Sequence, residues 1–342
     1  MRRSRLDLGA LVRLTELADY IVPFALRVAA ELNVADHLSA GPMSVEELST
    51  ATGADAGALC RLLRCLVCKG VFTELEPGRF ALTRTAELLT SANALSLRNA
   101  FPLIAAELRA WTRVEYSLRT GRAAFPLVHG CRYWDYMENH PEASRRVDQA
   151  VESSNRLIVR MFNRLYDWDS IPLLVDVGAG NGSFLAGLLA RHPGMRGVVF
   201  DQPHVVGQAS HVLEAAGVRE RCQIATGSFF KQIPEEGDAY LLKTILHDWD
   251  DEHAVAILRA VRTVIPPRGC LLVIEALLDS GNGYDIGKLL DLNSFVLAGG
   301  VNRTAAQFES LFRASCFRLE RVVRTTNALA LMEARPSSSE SS

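Results

Sequence analysis

Residues 242–253 read LKTILHDWDDEH: an apolar run, then His247, then Asp248, Asp250, Asp251, Glu252 and His253 within six positions. Three chemistries are open to such a cluster: metal ligation, proton transfer and a solvated helix start. Metal-binding helices commonly pair histidines at i and i+4, whereas His247 and His253 are six apart with Trp249 between them. No metal is expected. Asp250, Asp251 and Glu252 suit a helix N-terminus, where the macrodipole favours negative charge. His247 follows the strand-like AYLLKT directly, which places it at the carboxyl edge of a sheet, where ligands of open α/β folds bind. A neutral imidazole there is suited to proton abstraction. Such a base needs an orienting partner.

A second site precedes it. In VDVGAGNGSF, Gly178, Gly180 and Gly182 follow a strand and open a helix, which lets backbone approach a ligand closely. The spacing is G-x-G-x-G, with Ser183 where the dinucleotide fingerprint has its third glycine. Asp201 ends the next strand, where a carboxylate can accept both hydroxyls of a ribose. A nucleoside-type cofactor is the expectation.

The elements that must hold these residues fall into two rhythms. Up to about residue 165 the chain is mostly helical. Leu17, Tyr20, Ile21, Phe24 and Leu32 suggest one long buried stripe over 17–38. Ser44 with Glu47 forms a capping box, Gly53 ends that helix, Asp55 starts another running to Gly70, and VFTEL and RFALT flank a Pro-Gly turn. Helix, helix, hairpin is a winged-helix pattern, and it raises the alternative of a DNA-binding regulator. The second helix carries only Arg61, Arg64 and Lys69 among leucines and cysteines, too apolar for a groove. After residue 170, strands and helices alternate, predicting a doubly wound sheet. With 37 Lys and Arg against 39 Asp and Glu, the chain has no basic footprint for nucleic acid or an anionic membrane. No apolar run reaches the roughly 18 residues that span a bilayer, and the first residues lack a signal-peptide core. Seven cysteines fit reduced thiols in a cytoplasm. Cys65 and Cys68 form a lone CxxC without a second ligand pair and read as small buried hydrophobes. The tail 337–342 is polar and expected to be disordered.

DVGAGNGSF, VFDQPHVV, LHDWDDEH and GGVNRT, in this order, resemble the S-adenosylmethionine-dependent O-methyltransferases of small molecules, including plant phenolic and bacterial polyketide- and antibiotic-tailoring enzymes. The resemblance covers nearly the whole chain. It implies a class I methyltransferase fold: an α/β Rossmann-like, doubly wound sheet with its last strand antiparallel, behind an N-terminal winged-helix dimerisation domain. The implied layout is a dimerisation domain over 1–100, connecting helices that contribute to the substrate pocket over 101–165, and the catalytic domain over 166–336. It also implies a homodimer whose partner helps wall the pocket. The cofactor would be S-adenosyl-L-methionine, with S-adenosyl-L-homocysteine as product. Asp176, Gly178, Gly180 and Gly182 would border its methionine and ribose parts and Asp201 the ribose diol. Gln202 and Phe229 would flank the adenine, and Lys243 would meet the carboxylate. Ser228 stands where relatives often carry an acid near the adenine, and a neutral hydroxyl is a weaker partner. Trp134, Met137, Met161, Phe162 and Asn293 occupy positions that line the acceptor.

The resemblance makes His247 the base, helped by Asp248 and bracketed by Glu275 and position 302. A phenol with a pKa near 10 is only about one part in a thousand ionised at neutral pH, a deficit of roughly 4 kcal/mol. A positioned base supplies about 10²–10⁴-fold, so the histidine favours a phenolic hydroxyl over an already ionised carboxylate. Position 302 usually holds glutamate in the pattern GG-x-E-R-T, and here it is Asn302. An amide can orient an imidazole but cannot neutralise an imidazolium. The departure leaves two readings: a base with one bracketing carboxylate, or a site rebuilt for hydroxylation, decarboxylation or cyclisation.

Overall fold

The computed structural model describes residues 7–235, 237–325 and 328–337. It divides into two compact units, one of residues 1–103 with 149–154, the other of 104–148 with 155–342. Residues 338–342, most of the polar tail, lie outside the described residues.

In the first unit the Ser44 side chain caps helix Val45–Thr52 and Glu47 closes the box. Gly53 ends that helix in a left-handed conformation, and Asp55 caps helix Ala56–Val67. Strands β1 (Met43–Ser44), β2 (Phe72–Glu76) and β3 (Arg79–Leu82) form a small antiparallel sheet in the order β1-β3-β2. Leu59, Leu63 and Leu66 pack with Phe72 and Phe80 in its core, so the apolar side of the second helix is spent inside this unit.

The stripe at 17–38 differs from expectation. It is broken into the end of helix Leu8–Leu17, helix Ile21–Glu31 and the short helix Val34–His37; the first break comes where the Asp19 carboxylate accepts the amides of Ile21 and Val22 and starts a new helix. Leu14, Leu17, Tyr20 and Ile21 are exposed, with Leu17 at 73%. Periodicity reports an apolar face but not what covers it. The cysteine expectation also changes: Cys68 is exposed, with its thiol donating to the Cys65 carbonyl.

The second unit is built on β4 (Leu173–Val177), β5 (Arg196–Asp201), β6 (Cys222–Thr226), β7 (Ala239–Lys243), β8 (Cys270–Ala276), β9 (Phe317–Arg324) and β10 (Leu329–Pro336). Among the described residues these make a seven-stranded sheet ordered β6-β5-β4-β7-β8-β10-β9, parallel except for β10, which runs antiparallel to β8 and β9. Side chains alternate between two buried layers. Leu174, Val199, Leu241, Leu272 and Ile274 face one core, and Val175, Val177, Phe200, Tyr240 and Val273 the other. Strands covered on both faces read as near-continuous apolar runs, and these do. The strand order reverses direction between β4 and β7, so the loops after both strands open at one crevice. Among the described residues no helix is long and apolar enough to cross a membrane.

Trp168 is fully buried beside Phe184, and its indole N–H donates to the Phe162 carbonyl (3.0 Å). Trp168→Ala should cost about 3–5 kcal/mol through cavity formation, measured as a lower denaturant midpoint. An unchanged midpoint would show that this layer does not depend on the indole.

Candidate active site

Gly178, Gly180 and Gly182 all take positive φ after β4. At Gly178 the requirement is also steric: a Cβ there would overlap Ile245 Cδ1. The glycine loop is therefore packed directly on the turn that carries His247. Around Gly180 a Cβ would meet nothing within 4 Å, which leaves open space beside the loop. The Asp201 carboxylate, at the end of β5, accepts the Gly180 amide (2.8 Å) and the Gln202 amide (2.7 Å). Burial raises its pKa, opposed by those two hydrogen bonds.

Asp176 and Lys243 sit on neighbouring parallel strands, on the same face as Leu174 and Leu241. Asp176 is 1% exposed and neither carboxylate oxygen has a hydrogen-bond partner. Burial pushes Asp176 up to about 7, with Lys243 opposing. Burial lowers the Lys243 ammonium, with Asp176 and Glu275 opposing. Lys243 donates to the Thr244 hydroxyl (3.0 Å) and lies 5.7 Å from the Phe184 ring centre. A buried acid without partners, beside an ammonium and an open glycine loop, fits a zwitterionic ligand with an amine and a carboxylate. Phe229 and Phe230 meet Trp249 edge-on, and the Ser228 hydroxyl accepts the Phe230 amide (3.3 Å).

His247 stands on the 3₁₀ turn Leu246–Asp248, and Thr244 just before it has a positive φ of 53°. One oxygen of Glu275 accepts the amides of Ile245 (2.8 Å), Leu246 (2.7 Å) and His247 (3.4 Å). The other oxygen lies 2.9 Å from His247 Nδ1. A carboxylate only accepts, so Nδ1 carries the hydrogen and Nε2 is the basic nitrogen. Asp248 Oδ1 lies 3.4 Å from Nε2. Burial pulls the imidazolium pKa down, but Asp248, Glu275 and the Glu275 hydrogen bond outweigh it and hold His247 at about 9. Asp248 is itself raised to about 6 by burial, against the pull of His247. His253 belongs to a different feature: its Nδ1 pairs with Asp250, the N-cap of helix Asp251–Val264.

The segment before helix Ala305–Ala314 closes the turn from the other side. The Val301 amide donates to the His247 carbonyl (2.7 Å), and a Cβ on Gly300 would overlap that oxygen. Arg303, 1% exposed, donates to the carbonyls of Leu246 (2.8 Å), Trp249 (2.7 Å) and Val301 (3.1 Å) and to Asp251 (2.8 Å). Asn302 gives its amide N–H to Asp291 (2.7 Å), and its side-chain nitrogen is buried without a hydrogen-bond partner. Among the described residues, no hydrogen bond joins its side chain to His247.

The acceptor candidates scatter. Phe162 is fully buried in the sheet core, and Met137 packs with Phe125, Tyr133 and Leu297. Both are buried in packed clusters. Asn293 accepts the Trp111 indole N–H (2.9 Å), Trp134 is 44% exposed and Met161 is half-buried. Sequence reasoning missed Arg303, Gly300 and the Tyr133–Glu107 hydrogen bond (2.7 Å), which lies close enough to Asp248 to feel its charge.

Residues 111–318 match the model of the O-methyltransferase domain, and 15–92 that of the O-methyltransferase dimerisation domain. The chain belongs to the O-methyltransferase family. A phenazine O-methyltransferase, PhzM of Lysobacter antibioticus, is 41% identical over 95% of this chain and 96% of its own. The crystal structure of LaPhzM superposes with a TM-score of 0.90 at 40% identity, covering 97% of this chain and all of that one. The O-methyltransferase NcsB1 from neocarzinostatin biosynthesis was solved with S-adenosylmethionine and 2-hydroxy-5-methyl naphthoic acid. It is 32% identical, with a TM-score of 0.78 over 94% of this chain and 98% of that one.

In this O-methyltransferase the His247 imidazole should titrate at about 9, well above the usual value of about 6.5. Asp248→Asn removes one of the two raising charges and should lower that value, read from histidine-labelled NMR spectra with His247→Ala as the assignment control. Titration near 6.5 in the unsubstituted protein would show that the carboxylates do not act on the ring.

Proposed function

We propose that this chain transfers a methyl group from S-adenosyl-L-methionine to a phenolic hydroxyl of a polycyclic aromatic small molecule, with His247 as general base. The observation that carries this is the His247 imidazole held by Glu275 at Nδ1, so that Nε2 is the basic atom, beside the glycine loop. Phenazine and naphthoic acid chemistry in relatives supports a flat aromatic acceptor.

Asp176, Lys243 and the glycine loop would hold the amino-acid end of the cofactor, Asp201 the ribose, and Gln202, Ser228 and Phe229 the adenine. Bound S-adenosylmethionine supplies an activated methyl group and leaves as S-adenosylhomocysteine. The chain's own work is on the acceptor. Nε2 takes the hydroxyl proton as the phenolic oxygen gains its methyl group, while Glu275 and Asp248 stabilise the imidazolium. A base at about 9 facing a phenol near 10 makes that transfer uphill by only about 1.4 kcal/mol, against about 5 kcal/mol for an unperturbed imidazole. The cost is a smaller neutral fraction at low pH. Only neutral His247 accepts a proton, so turnover should rise about tenfold per pH unit below 9 and level above it.

His247→Ala should lose methyl transfer by about 10²-fold or more while calorimetry shows cofactor binding unchanged. The assay is incubation with S-adenosylmethionine and a panel of hydroxylated phenazines and naphthoates, read by mass spectrometry. Full turnover in the variant removes His247 as base. Cofactor binding with no methylated product from any phenol favours a site rebuilt for other chemistry, the reading that Asn302 keeps open.

The exposed apolar face of helices Leu8–Leu17 and Ile21–Glu31 lies in or beside the matched dimerisation domain and is the face a second copy would cover. Leu14→Glu with Leu17→Glu should convert a dimer to a monomer in sedimentation velocity. A dimer that survives both charges places the interface elsewhere.

A further inference from the structure

We propose that Arg303 is a positioning residue for His247, holding the turn that carries the base from the side opposite Glu275. The inference rests on the reading of His247 as base and goes beyond it, because Arg303 touches neither the imidazole nor any residue assigned to the cofactor.

The turn at 244–249 leaves β7 through a left-handed Thr244 and closes on itself through the Asp248 amide to the Ile245 carbonyl (3.2 Å) and the Trp249 amide to the Leu246 carbonyl (3.3 Å). Its amides at 245, 246 and 247 are taken up by Glu275. Its carbonyls each have two lone pairs and can take further donors from outside the turn. Arg303 supplies two of them, at Leu246 and Trp249, the residues that bracket His247 and Asp248. The same guanidinium binds the Val301 carbonyl, and the Val301 amide binds the His247 carbonyl. Arg303 is thus tied to the turn at three carbonyls, two directly and one through its own segment.

Two features make this more than generic packing. The backbone of Arg303 is itself fixed, bridging to Leu277 just past the end of β8 and accepting the Leu278 amide (3.1 Å), so the clamp is referenced to the strand that carries Glu275. Its one carboxylate partner among the described residues, Asp251, has a side chain 78% exposed, so the guanidinium is held in the interior chiefly by carbonyl oxygens of the base-bearing turn. Lysine cannot reproduce this, because a single ammonium lacks the planar fork that reaches carbonyls on both sides of the turn.

The groups around the imidazole define the readout. Glu275 faces it from β8 and Lys243 from β7; Asp248 lies on its own turn, and Tyr133 faces Asp248 from helix Tyr133–Asn139. Loosening the turn moves the ring away from its two carboxylates, so both alignment and basicity change. A residue that only stabilised the fold would change neither in the molecules that remain folded.

The test is Arg303→Lys in the full-length protein, with Asp251→Asn as a milder variant that removes only the exposed partner. For Arg303→Lys, kcat should fall about 10²-fold, the loss typical of a misplaced catalytic group. The affinity for S-adenosylmethionine by calorimetry should stay unchanged, and the His247 titration should move down toward about 6.5. Asp251→Asn should act in the same direction, with kcat down about two- to five-fold. Arg303→Lys that lowers thermal stability yet keeps the kcat of its folded fraction and an unshifted His247 titration overturns the proposal. If that variant does not fold, unshifted kcat and titration in Asp251→Asn overturn it instead. A fully active His247→Ala would reject the base itself, an outcome separate from either.

Discussion

The structure depends on how one short piece of irregular backbone is kept in the interior. Between β7 and helix Asp251–Val264 the chain makes a short 3₁₀ turn that pairs only some of its peptide groups with one another. Its amides converge on a buried carboxylate and its carbonyls on a buried guanidinium. Each charged group would be expensive alone at this depth, and each is satisfied by the peptide dipoles of the same turn. The charges do not have to meet one another. They act through the backbone between them, which makes the position of His247 a property of backbone hydrogen bonding rather than of side-chain packing.

The same turn links the two halves of the site. Ile245 occupies the volume that a Cβ at Gly178 would need, and the His247 carbonyl occupies the volume beside Gly300. Three loops, after β4, after β7 and before helix Ala305–Ala314, therefore meet with no slack between the glycine loop and the turn that carries His247. Asp176 and Lys243 sit one layer below, on the strands that feed the first two loops. Burial raises the acid and lowers the ammonium, so each is poorly solvated before a ligand arrives. A zwitterionic partner would relieve both, which is how a site can be stable enough to fold and still gain from binding.

Much of this was legible from residue type and order. The glycine spacing, the acid at the end of β5, the histidine after β7 and the acid in the apolar β8 run are each chemically conspicuous, and alternating rhythm gave the doubly wound sheet. Arg303 was not legible, because its partners are backbone carbonyls, which carry no mark in the sequence. Helix Ile286–Ala298 enters the sequence reading only through Asn293, since its apolar residues are spread around the helix with little polar alternation. The stripe over 17–38 was misread for the complementary reason: a clean apolar face looks the same whether its cover is this chain or another. Phe162 and Met137 show the limit for acceptor residues, where lining and core positions on amphipathic helices share one composition.

Asn302 takes on a different meaning once the turn is understood. With Glu275 on one nitrogen and Asp248 near the other, the imidazole already has two carboxylates, enough to hold it at about 9. Asp291 brings a third acid to the neighbouring segment, where it accepts the Asn302 amide. A glutamate at 302 would add a fourth acid around one imidazole and one guanidinium, in a place where burial already pushes Asp248 up to about 6. Further negative charge there would favour protonating an existing acid over making the base stronger. The neutral amide is thus consistent with a working base. Its side-chain Nδ2 is buried without a hydrogen-bond partner.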